Sequence, residues 1–559
     1  MRLLRKIDKG LLLTFLLSLL PLFSLFHPGM FAGHDSESHV ARLVAFYQSI
    51  SEGNIIPRWA ANLNMGYGHP ILMFLYPLSN YLGSFWHFLG FSFVTSVKMT
   101  FGVSYILSGI FMYLFITELF GKKAGFLASL VYLFAPYRFV DFYVRAALGE
   151  HLAFMTMPLV LWSVTKLIKS DNTLYIVLSS LSLALLILSH NAIALMFLPF
   201  FFLYLIIAVR FLNHQSYILY RVLTALLLGF GLSAFFWLPA WVEGKYTLRD
   251  IVTQNDYANR FPSFLSLFYS PWSFGGTDFL SKEVGIAQWI TVVAGLIYLA
   301  RSVVIPNLIR DAVSTFIFWF ITVSELYYWL VFFLLNKISL PIWQALTILQ
   351  KFQFPWRFLS LSVLTSSLLG VSFLLLFKKK TYQITVITII IFITIISTVS
   401  FWQPRGYLSQ NDQFFISDYS GTTDTGESSP LWSIRGMEQK PKESLEIIDG
   451  QSSIKKISRN STRHIYEVTA SKTTRFVDNT VYFPGWEVLI DGVKTNIEFQ
   501  DQNYRGLVTF SVSKGKHQIM VKFGETKLRL AADYLSLGAL VMVFGILVVP
   551  YAFRRSGHV

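Results

Sequence analysis

Long apolar runs separated by short polar stretches fill most of the 559-residue chain. A helix that crosses a membrane needs about 20 predominantly apolar residues, and the runs near that length are about twelve in number. They lie near residues 11–27, 97–119, 124–139, 151–168, 173–189, 192–210, 222–243, 284–303, 313–335, 358–377, 382–402 and 531–552. The pattern therefore predicts an all-α polytopic membrane protein, with a multi-spanning domain over 1–402 and a final transmembrane helix and tail over 531–559.

Two segments of the multi-spanning domain fit this pattern less simply. The stretch 71–90 is apolar but contains Pro77, Ser79 and Asn80, which favours a surface or re-entrant helix. Residues 1–27 join a basic start to an apolar run, so they fit either a first span or a cleaved signal peptide.

Residues 403–530 have a different periodicity, because apolar and polar positions alternate there as they do in half-buried strands. The alternating segments are 462–469, 474–482, 486–490, 506–513 and 517–523. Asp491-Gly492 indicates a hairpin turn, since both residues tolerate positive φ. We expect a small extracytoplasmic β-rich domain, a sandwich, before the last helix.

Composition narrows the class of protein. Hydrophobic residues make up 54% of the chain and charged residues 14%, whereas soluble domains carry about 25% charged residues. A single-domain soluble fold is therefore excluded. The chain has no cysteine, which excludes disulfides, thiolate nucleophiles and Cys-ligated metal sites.

The distribution of charge predicts the topology. Most of the net charge of +15 lies outside 403–530, which holds 17 basic and 15 acidic residues. The basic residues cluster at the ends of apolar runs, as the positive-inside rule requires, and not on a polar nucleic-acid-binding surface. The clusters are Arg2, Arg5, Lys6 and Lys9; Lys122 and Lys123; Lys166 and Lys169; Arg210 and Arg221; Lys378 to Lys380; Arg554 and Arg555. With these clusters inside, 28–96, 244–283 and 403–530 face outside.

The first outer segment carries the densest group of ionisable residues. If a helix begins after the first span, Asp35, His39 and Arg42 share one face. Asp35 could then be a general base that His39 or Arg42 orients, or it could only cap the helix. His34, Asp35, Glu37 and His39 also suggest a divalent metal cluster, for Mg²⁺ or Mn²⁺, although their spacing matches no defined metal motif.

Further along the same segment, aromatic and polar residues are interleaved. Arg58, Trp59, Tyr67 and His69 offer ring faces and hydrogen-bonding groups that suit sugars. Trp and Tyr concentrate equally in the headgroup belt of a membrane. Both interpretations stay open from the sequence.

Later outer turns add charged candidates. Glu150 begins an apolar span, where an acid is disfavoured unless it has a function, while Asp141 and Arg145 could simply pair. Arg357 beside Trp356 could hold a lipid phosphate, with help from Arg138 or Arg145, or only reach to the headgroups. His190 and Asn191 form a tight turn, and Glu325 lies within a span, where a function or a hydrogen bond inside the bundle would explain it.

Taken together, these motifs resemble those of bacterial membrane proteins of the GT-C glycosyltransferase superfamily. The likeness is closest to the group labelled 6-pyruvoyl-tetrahydropterin synthase-related membrane proteins and to cell-wall glycosyltransferases that use undecaprenyl-phosphate sugars. The residues that carry it are Asp35, His39 and Arg42; Pro57-Arg58-Trp59; Gly66-Tyr67-Gly68; Pro136-Tyr137-Arg138; Tyr143-Val144-Arg145; Glu150; His190-Asn191; Gln353-Phe354-Pro355-Trp356-Arg357; and Pro484-Gly485-Trp486.

The resemblance implies a catalytic acid in the first outer loop, a polyprenyl-phosphate-linked sugar as donor, and a glycan or glycolipid acceptor outside the cytoplasm. Many members carry two acids there as Asp-x-Asp or Asp-Asp, and Asp35-Ser36-Glu37 is a variant of that pattern. A polytopic transporter or flippase, which should show internal repeats, and a non-catalytic assembly protein are the alternatives.

Overall fold

The computed structural model describes residues 8–213, 215–276, 279–305, 309–377 and 379–556, with the side chains of 549–556 left aside. The basic positions Arg2, Arg5, Lys6 and Lys378 lie outside the described residues, as do the side chains of Arg554 and Arg555. Residues 1–7, the start of the segment that could be a signal peptide, also lie outside the described residues.

Helices make up most of the described chain. Their bounds are Lys9–Ser18, Ser36–Ser51, Ile71–Phe74, Leu78–Phe88, Phe93–Phe120, Lys122–Leu133, Pro136–Phe139, Leu148–Lys169, Leu174–Ser189, Asn191–Leu212, Tyr217–Leu232, Ala234–Glu243, Arg249–Val252, Ile286–Val304, Ala312–Leu335, Leu340–Ala345, Thr347–Gln350, Leu359–Leu369, Val371–Leu376, Lys380–Thr398, Asp412–Ile416 and Lys527–Ser556. The all-α polytopic class is confirmed.

Some of the expected spans are bent helix pairs and not single straight helices. Within the described residues, 8 helices are long and apolar enough to cross a membrane, and 3 bent helix pairs bring the number to 11. The one expected span that is not among these 11 is 173–189. It is helical, as Leu174–Ser189, but shorter than the others. The sharp bend of 52° between Lys122–Leu133 and Pro136–Val144 falls just before Pro136, because a proline disfavours helical geometry in the residue before it.

The segment 71–90 is not one helix. Ile71–Phe74 and Leu78–Phe88 are separated at Leu75 to Pro77. Proline lacks an amide hydrogen and is best tolerated at the start of a helix, and Pro77 is the N-cap of the helix that begins at Leu78. The break leaves Tyr76 in a non-helical position at the bundle edge.

The β-rich region holds eight antiparallel strands in two sheets. Their bounds are β1 Leu445–Asp449, β2 Ser452–Arg459, β3 Arg463–Ala470, β4 Thr474–Val481, β5 Trp486–Ile490, β6 Val493–Thr495, β7 Leu507–Val512 and β8 Gly515–Phe523. One sheet has the order β1-β4-β7 and the other β2-β3-β8-β5-β6. All five alternating segments are strands, β6 is the second strand of the predicted hairpin, and β1 and β2 are additional.

The two sheets share one core, as expected of a sandwich. Tyr466, Phe476, Val488 and Phe510 are buried in the same cluster, although they come from different strands. The predicted hairpin joins β5 to β6, and Asp491 and Gly492 have φ of 50° and 84°. Such positive φ values at both turn residues match the right-handed twist of the strands.

Residues 403–444 contain one short helix and no assigned strand among them, and they pack on the first and second outer segments. Phe31 bridges to Tyr407 and Thr247 bridges to Pro430, while Tyr419 N donates to Asn62 O at 2.8 Å. The sequence places these three segments on one side of the membrane, and in the structure they form one continuous cap over one end of the bundle.

Basic residues mark the opposite end of the bundle. Lys169 Nζ lies 2.7 Å from Glu118 Oε1, and Lys122 Nζ lies 3.1 Å from Asp8 Oδ2. Glu150, by contrast, lies in the first turn of the helix that ends at Lys169. The bundle therefore has a basic end and a capped end, with the candidate site at the capped end.

Candidate active site

Asp35 stands immediately before the helix Ser36–Ser51, and its backbone is bonded to a distant loop. Its N–H donates to Arg145 O at 3.0 Å, and the N–H of His34 donates to Val144 O at 2.9 Å. The Asp35 side chain is exposed and makes no cap hydrogen bond. The capping alternative is therefore wrong, and the Asp35 carboxylate lies at the end of the bundle that the outer segments cover.

A compact charge cluster lies beside this loop. Arg145 Nη2 and Arg357 Nε both donate to Glu150 Oε1 at 2.7 Å. The second oxygen of Glu150 accepts from Tyr137 Oη at 3.2 Å. Glu150 is 1% exposed. Its oxygens hold the two guanidinium groups in place, and a direct catalytic role for Glu150 stays a prediction.

Arg145 is fixed from three sides. It pairs with Asp141 Oδ1 at 2.8 Å, so these two residues pair with each other as the sequence suggested. Its guanidinium also lies 4.6 Å from the ring centre of Trp356, which is a favourable cation–π geometry. Arg145 and Arg357 thus converge at the ends of different spans.

Tyr76 connects the cluster to Asp35 and was missed by the sequence analysis. Its pKa is raised to about 12, mainly by burial, with Asp35 and Glu150 raising it and Arg42 and Arg357 lowering it. All four charged groups therefore act on one phenol. The Tyr76 ring stacks on His190, with centroids 4.6 Å apart. A Cβ on Gly149 would lie 2.0 Å from that ring, so only glycine leaves room for it.

The stretch 418–436 forms a wall over the site. Three predicted substrate-binding residues are hydrogen-bonded to it. Arg42 Nε donates to Thr423 Oγ1 at 2.9 Å, and His69 Nε2 lies 3.0 Å from Ser429 Oγ. Gln353 Nε2 donates to Glu427 Oε2 at 3.0 Å. Arg42, His69 and Gln353 therefore hold this wall.

The wall brings two further acids close to the site, Asp424 and Glu427. The pKa of Glu427 is raised by burial and by the nearby Asp424. Burial also acts to raise the pKa of Asp424, but His69 and the amides of Ser428 and Gly426 outweigh it and lower the pKa. An acid pair at Asp424 and Glu427 is visible in the sequence, but only the tertiary structure shows that it reaches Gln353.

His39 does not orient Asp35 through a hydrogen bond. Its Nε2 lies 2.8 Å from Ala146 O. Burial lowers the pKa of His39 to about 4, with Arg42 acting in the same direction, so the ring is neutral at pH 7. Within the described chain no three His, Asp or Glu residues form a group that could hold a metal. The suggested cluster of His34, Asp35, Glu37 and His39 is not formed, and Glu37 instead accepts from Tyr419 Oη at 3.3 Å.

Several predicted sugar-binding residues lie away from the site. Arg58 donates to Glu525 and Asp533 at 2.9 and 2.6 Å, near the start of the last span. Trp59 packs in the core of the β-rich region against Trp486, and Tyr67 packs against the same core. These residues join the first outer segment to the β-rich region.

Arg138 and Asn191, two further predicted binding residues, contact protein groups in the structure. Arg138 is fully buried among aromatic rings, and its guanidinium lies 4.3 Å from the ring centre of Phe154. Asn191 is exposed and accepts the N–H of Ala192. Glu325 accepts from Trp329 Nε1 at 3.1 Å. This is the hydrogen bond inside the bundle that the sequence offered as the alternative to a function.

Comparison with known proteins fits this picture. Residues 69–233 match the family model described as dolichyl-phosphate-mannose-protein mannosyltransferase. The resemblance to GT-C glycosyltransferases drawn from the motifs is confirmed. A protein of Lactococcus lactis subsp. cremoris is 26% identical over 269 residues, which cover 46% of this chain and 43% of that protein.

Two solved structures are similar at low identity. The Archaeoglobus fulgidus oligosaccharyltransferase in its apo form aligns with 76% of this chain and 60% of its own, at 14% identity and a TM-score of 0.45. ArnT from Cupriavidus metallidurans bound to undecaprenyl phosphate aligns with 66% of this chain and 60% of its own, at 12% identity and a TM-score of 0.37. The chain thus spans less than two thirds of the length of each relative.

Proposed function

We propose that this protein is an integral membrane glycosyltransferase that moves a sugar, with inversion, from a polyprenyl-phosphate-linked donor to a hydroxyl of a glycan or glycolipid acceptor. The proposal rests on the position of Asp35. Its carboxylate is exposed and makes no cap hydrogen bond, and its backbone N–H donates to the backbone oxygen of Arg145, beside the Glu150–Arg357 pair. The family match over 69–233 supports a lipid-phosphate-linked donor.

Asp35 acts as the general base. Its carboxylate takes the proton of the acceptor hydroxyl while that oxygen bonds to the anomeric carbon of the donor sugar. The bond from the anomeric carbon to the phosphate oxygen breaks, and the polyprenyl phosphate leaves with its electron pair. General-base assistance of this kind typically contributes about 10² to 10⁴-fold.

Arg357 stabilises the leaving phosphate. Its Nε is bonded to Glu150 and its Nη1 to Phe352 O, so within the described residues Nη2 remains available for the phosphate. A guanidinium fixed before the reaction stabilises developing charge without reorganising. Glu150 and Arg145 are positioning residues for Arg357. The mechanism assigns no step to Mg²⁺ or Mn²⁺.

The site faces the extracytoplasmic side of the cell membrane. Lys122, Lys169 and Arg221 lie at the end of the bundle opposite Glu150, and basic ends face the cytoplasm. The donor's sugar would then be presented at the outer surface, among the membrane lipids.

A transporter or flippase is the less favoured function. Such proteins place polar groups near the middle of the membrane, between repeated halves. Here Arg145, Glu150 and Arg357 gather at span ends, and the mid-span acid Glu325 is bonded to Trp329. The charged residues thus have the distribution of a surface site.

The test is consumption of donor by the purified protein in detergent micelles. Several polyprenyl-phosphate sugars are supplied in turn with an envelope-glycan extract, and loss of donor is followed with and without EDTA. We expect one donor to be consumed and Arg357→Ala to lower the rate strongly, and the EDTA arm shows whether the rate depends on a divalent metal. If no donor is consumed, or if Arg357→Ala matches the wild type, the proposal fails.

A further inference from the structure

An apolar groove lies on the side of the bundle, between the helix Ile286–Val304 and the end of the helix Val371–Leu376. Its volume is about 500 Å³, which is within the range of small-molecule sites. Aromatic and aliphatic side chains line it, and one charged residue joins them among the described lining; its residues include Trp289, Val293, Ile297, Phe373, Phe377 and Arg301. A groove of this composition suits a hydrocarbon chain and not a hydrophilic substrate.

The two ends of the groove lie at different depths in the bundle. Trp289 is at the capped end, where its Nε1 donates to Leu267 O of the second outer segment at 3.3 Å. Arg301 is 12 residues further along the same helix, about 18 Å away at 1.5 Å per residue. One leaflet contributes about 15 Å of hydrocarbon, half of the core of a bilayer. The groove is therefore long enough for a chain that crosses one leaflet, with Arg301 at the basic end.

Arg301 has a positive charge that no described residue balances. Its side chain is exposed, and its one hydrogen bond to a described residue is long, from Nη1 to Leu376 O at 3.4 Å. Two more cations, Lys379 and Lys380, follow Leu376 by three and four positions and are exposed. A guanidinium binds a phosphate through two parallel hydrogen bonds. This end of the groove is thus suited to an anionic headgroup.

The acids on the neighbouring helix do not neutralise this end. Glu325 packs against Gly295, which is two positions from Ile297 and therefore on a different face of the helix from the groove. Asp311 accepts a backbone N–H of the helix that it caps, at 2.7 Å. Neither acid lines the groove or forms an ion pair with Arg301 within the part of the chain that the structure describes. The charge at the basic end of the groove stays positive.

One wall of the groove is held in place by a single glutamine. Gln383 Nε2 donates to Leu374 O at 3.1 Å and to Phe377 O at 2.9 Å. Gln383 Oε1 in turn accepts from Lys123 Nζ at 2.9 Å. The backbone around Phe377 is therefore fixed before any ligand arrives, and a preorganised site loses less conformational entropy on binding.

We propose that this groove binds one membrane phospholipid with an anionic headgroup, its acyl chain against Trp289 and Ile297 and its phosphate on Arg301. The lipid belongs to the leaflet at the basic end of the bundle. An anionic headgroup is selected because the ammonium of a zwitterionic one would meet Arg301 and Lys379 with the same sign of charge. This site is separate from the Asp35 site, and the proposal does not depend on the proposed function.

The test is a lipid titration of the purified full-length protein in neutral detergent, followed by native mass spectrometry. Phosphatidylglycerol and phosphatidylcholine with the same acyl chains are compared, and we expect phosphatidylglycerol to bind more tightly. Arg301→Gln should weaken phosphatidylglycerol binding about fivefold, the contribution of one arginine to binding an anionic lipid, and leave phosphatidylcholine unchanged. Val293→Trp, at an exposed position of the groove, should weaken both lipids because the larger ring fills the space of the chain.

Lys169→Gln is the matched control. It removes an exposed lysine at the same end of the bundle, where Lys169 pairs with Glu118 outside the groove, and it should bind both lipids like the wild type. The melting temperature of each variant shows that it is folded.

Three results would overturn the proposal. The first is equal phosphatidylglycerol binding by Arg301→Gln and the wild type. The second is an equal loss in Lys169→Gln, which would mean that any basic surface residue has this effect. The third is displacement of phosphatidylglycerol by undecaprenyl phosphate that binds Arg301→Gln as tightly as the wild type, because the groove would then hold the chain of a polyprenyl lipid without using Arg301.

Discussion

Arg357 donates its Nε to Oε1 of Glu150 at 2.7 Å, although 207 positions separate them in the chain. The same oxygen accepts from Arg145, so one buried carboxylate sets the spacing of two guanidinium groups. Removing one member of a buried ion pair leaves an uncompensated charge, which costs about 3–5 kcal/mol. Glu150 is therefore expected to govern both the stability and the anion-binding geometry of the site.

The variant Glu150→Gln should lower the free energy of unfolding by about 3 kcal/mol and reduce donor turnover. The measurement is thermal unfolding in detergent together with the donor-consumption rate per folded molecule. Glu325→Gln is the matched control, since it neutralises another buried acid whose one hydrogen-bond partner among the described residues is Trp329. A Glu325→Gln variant as unstable as Glu150→Gln would show that any buried acid has this effect.

Asp35→Asn should reduce transfer by about 10² to 10⁴-fold while expression and melting temperature stay at wild-type values. The side chain is exposed and makes no cap bond, so folding has little to lose. The comparison is with Glu37→Gln, whose amide oxygen can still accept the bond from Tyr419, and which should keep most activity. Near-normal transfer by Asp35→Asn would assign the base to another acid.

Acid should destabilise the protein partly through His39. In the folded state the pKa of His39 is lowered to about 4 from 6.5, chiefly by burial. The unfolded chain therefore binds a proton below pH 6.5 that the folded chain binds only near pH 4, so stability is full above pH 6.5 and falls between these values. We expect the melting temperature of His39→Gln to depend less on pH in this interval than that of the wild type. Parallel curves for the two proteins would contradict this.

Arg58 should affect stability and not chemistry. It is bonded to Glu525 and Asp533, so Arg58→Met should lower the free energy of unfolding by about 1–3 kcal/mol and leave kcat/KM per folded molecule unchanged. Arg463→Met, at an exposed arginine, is the control and should melt like the wild type. A selective rise in KM for Arg58→Met would restore the sugar-binding role suggested by the sequence.

The membrane orientation can be measured by cysteine labelling, because the chain has no native cysteine. Lys456→Cys in β2 should react with an impermeant reagent in intact cells, and Lys379→Cys should react only after lysis. Both positions are exposed, so access depends on the membrane side alone. Labelling of position 379 in intact cells, with position 456 protected, would show that the orientation is the opposite of the predicted one.

Patterns with a short period were sufficient to predict the helices, five strands and the hairpin at Asp491-Gly492. Such patterns depend on local physics, namely the apolar length needed to cross a membrane, the alternation of strand side chains, and backbone preferences at turns. The same holds for Asp35 as an exposed acid, because a charge placed directly after a span has no hydrophobic environment to enter.

Only the tertiary structure decided which residues meet. Arg58 and Trp59 look like ligand-binding residues in sequence, yet Arg58 pairs with acids near the start of the last span and Trp59 packs in the core of the β-rich region. Tyr76 and Glu427 look ordinary and reach the site. Whether an arginine binds substrate or protein depends on which carboxylate or carbonyl lies across the fold. For Arg42, Arg58 and Arg357 that partner comes from hundreds of positions away, and no local pattern encodes it.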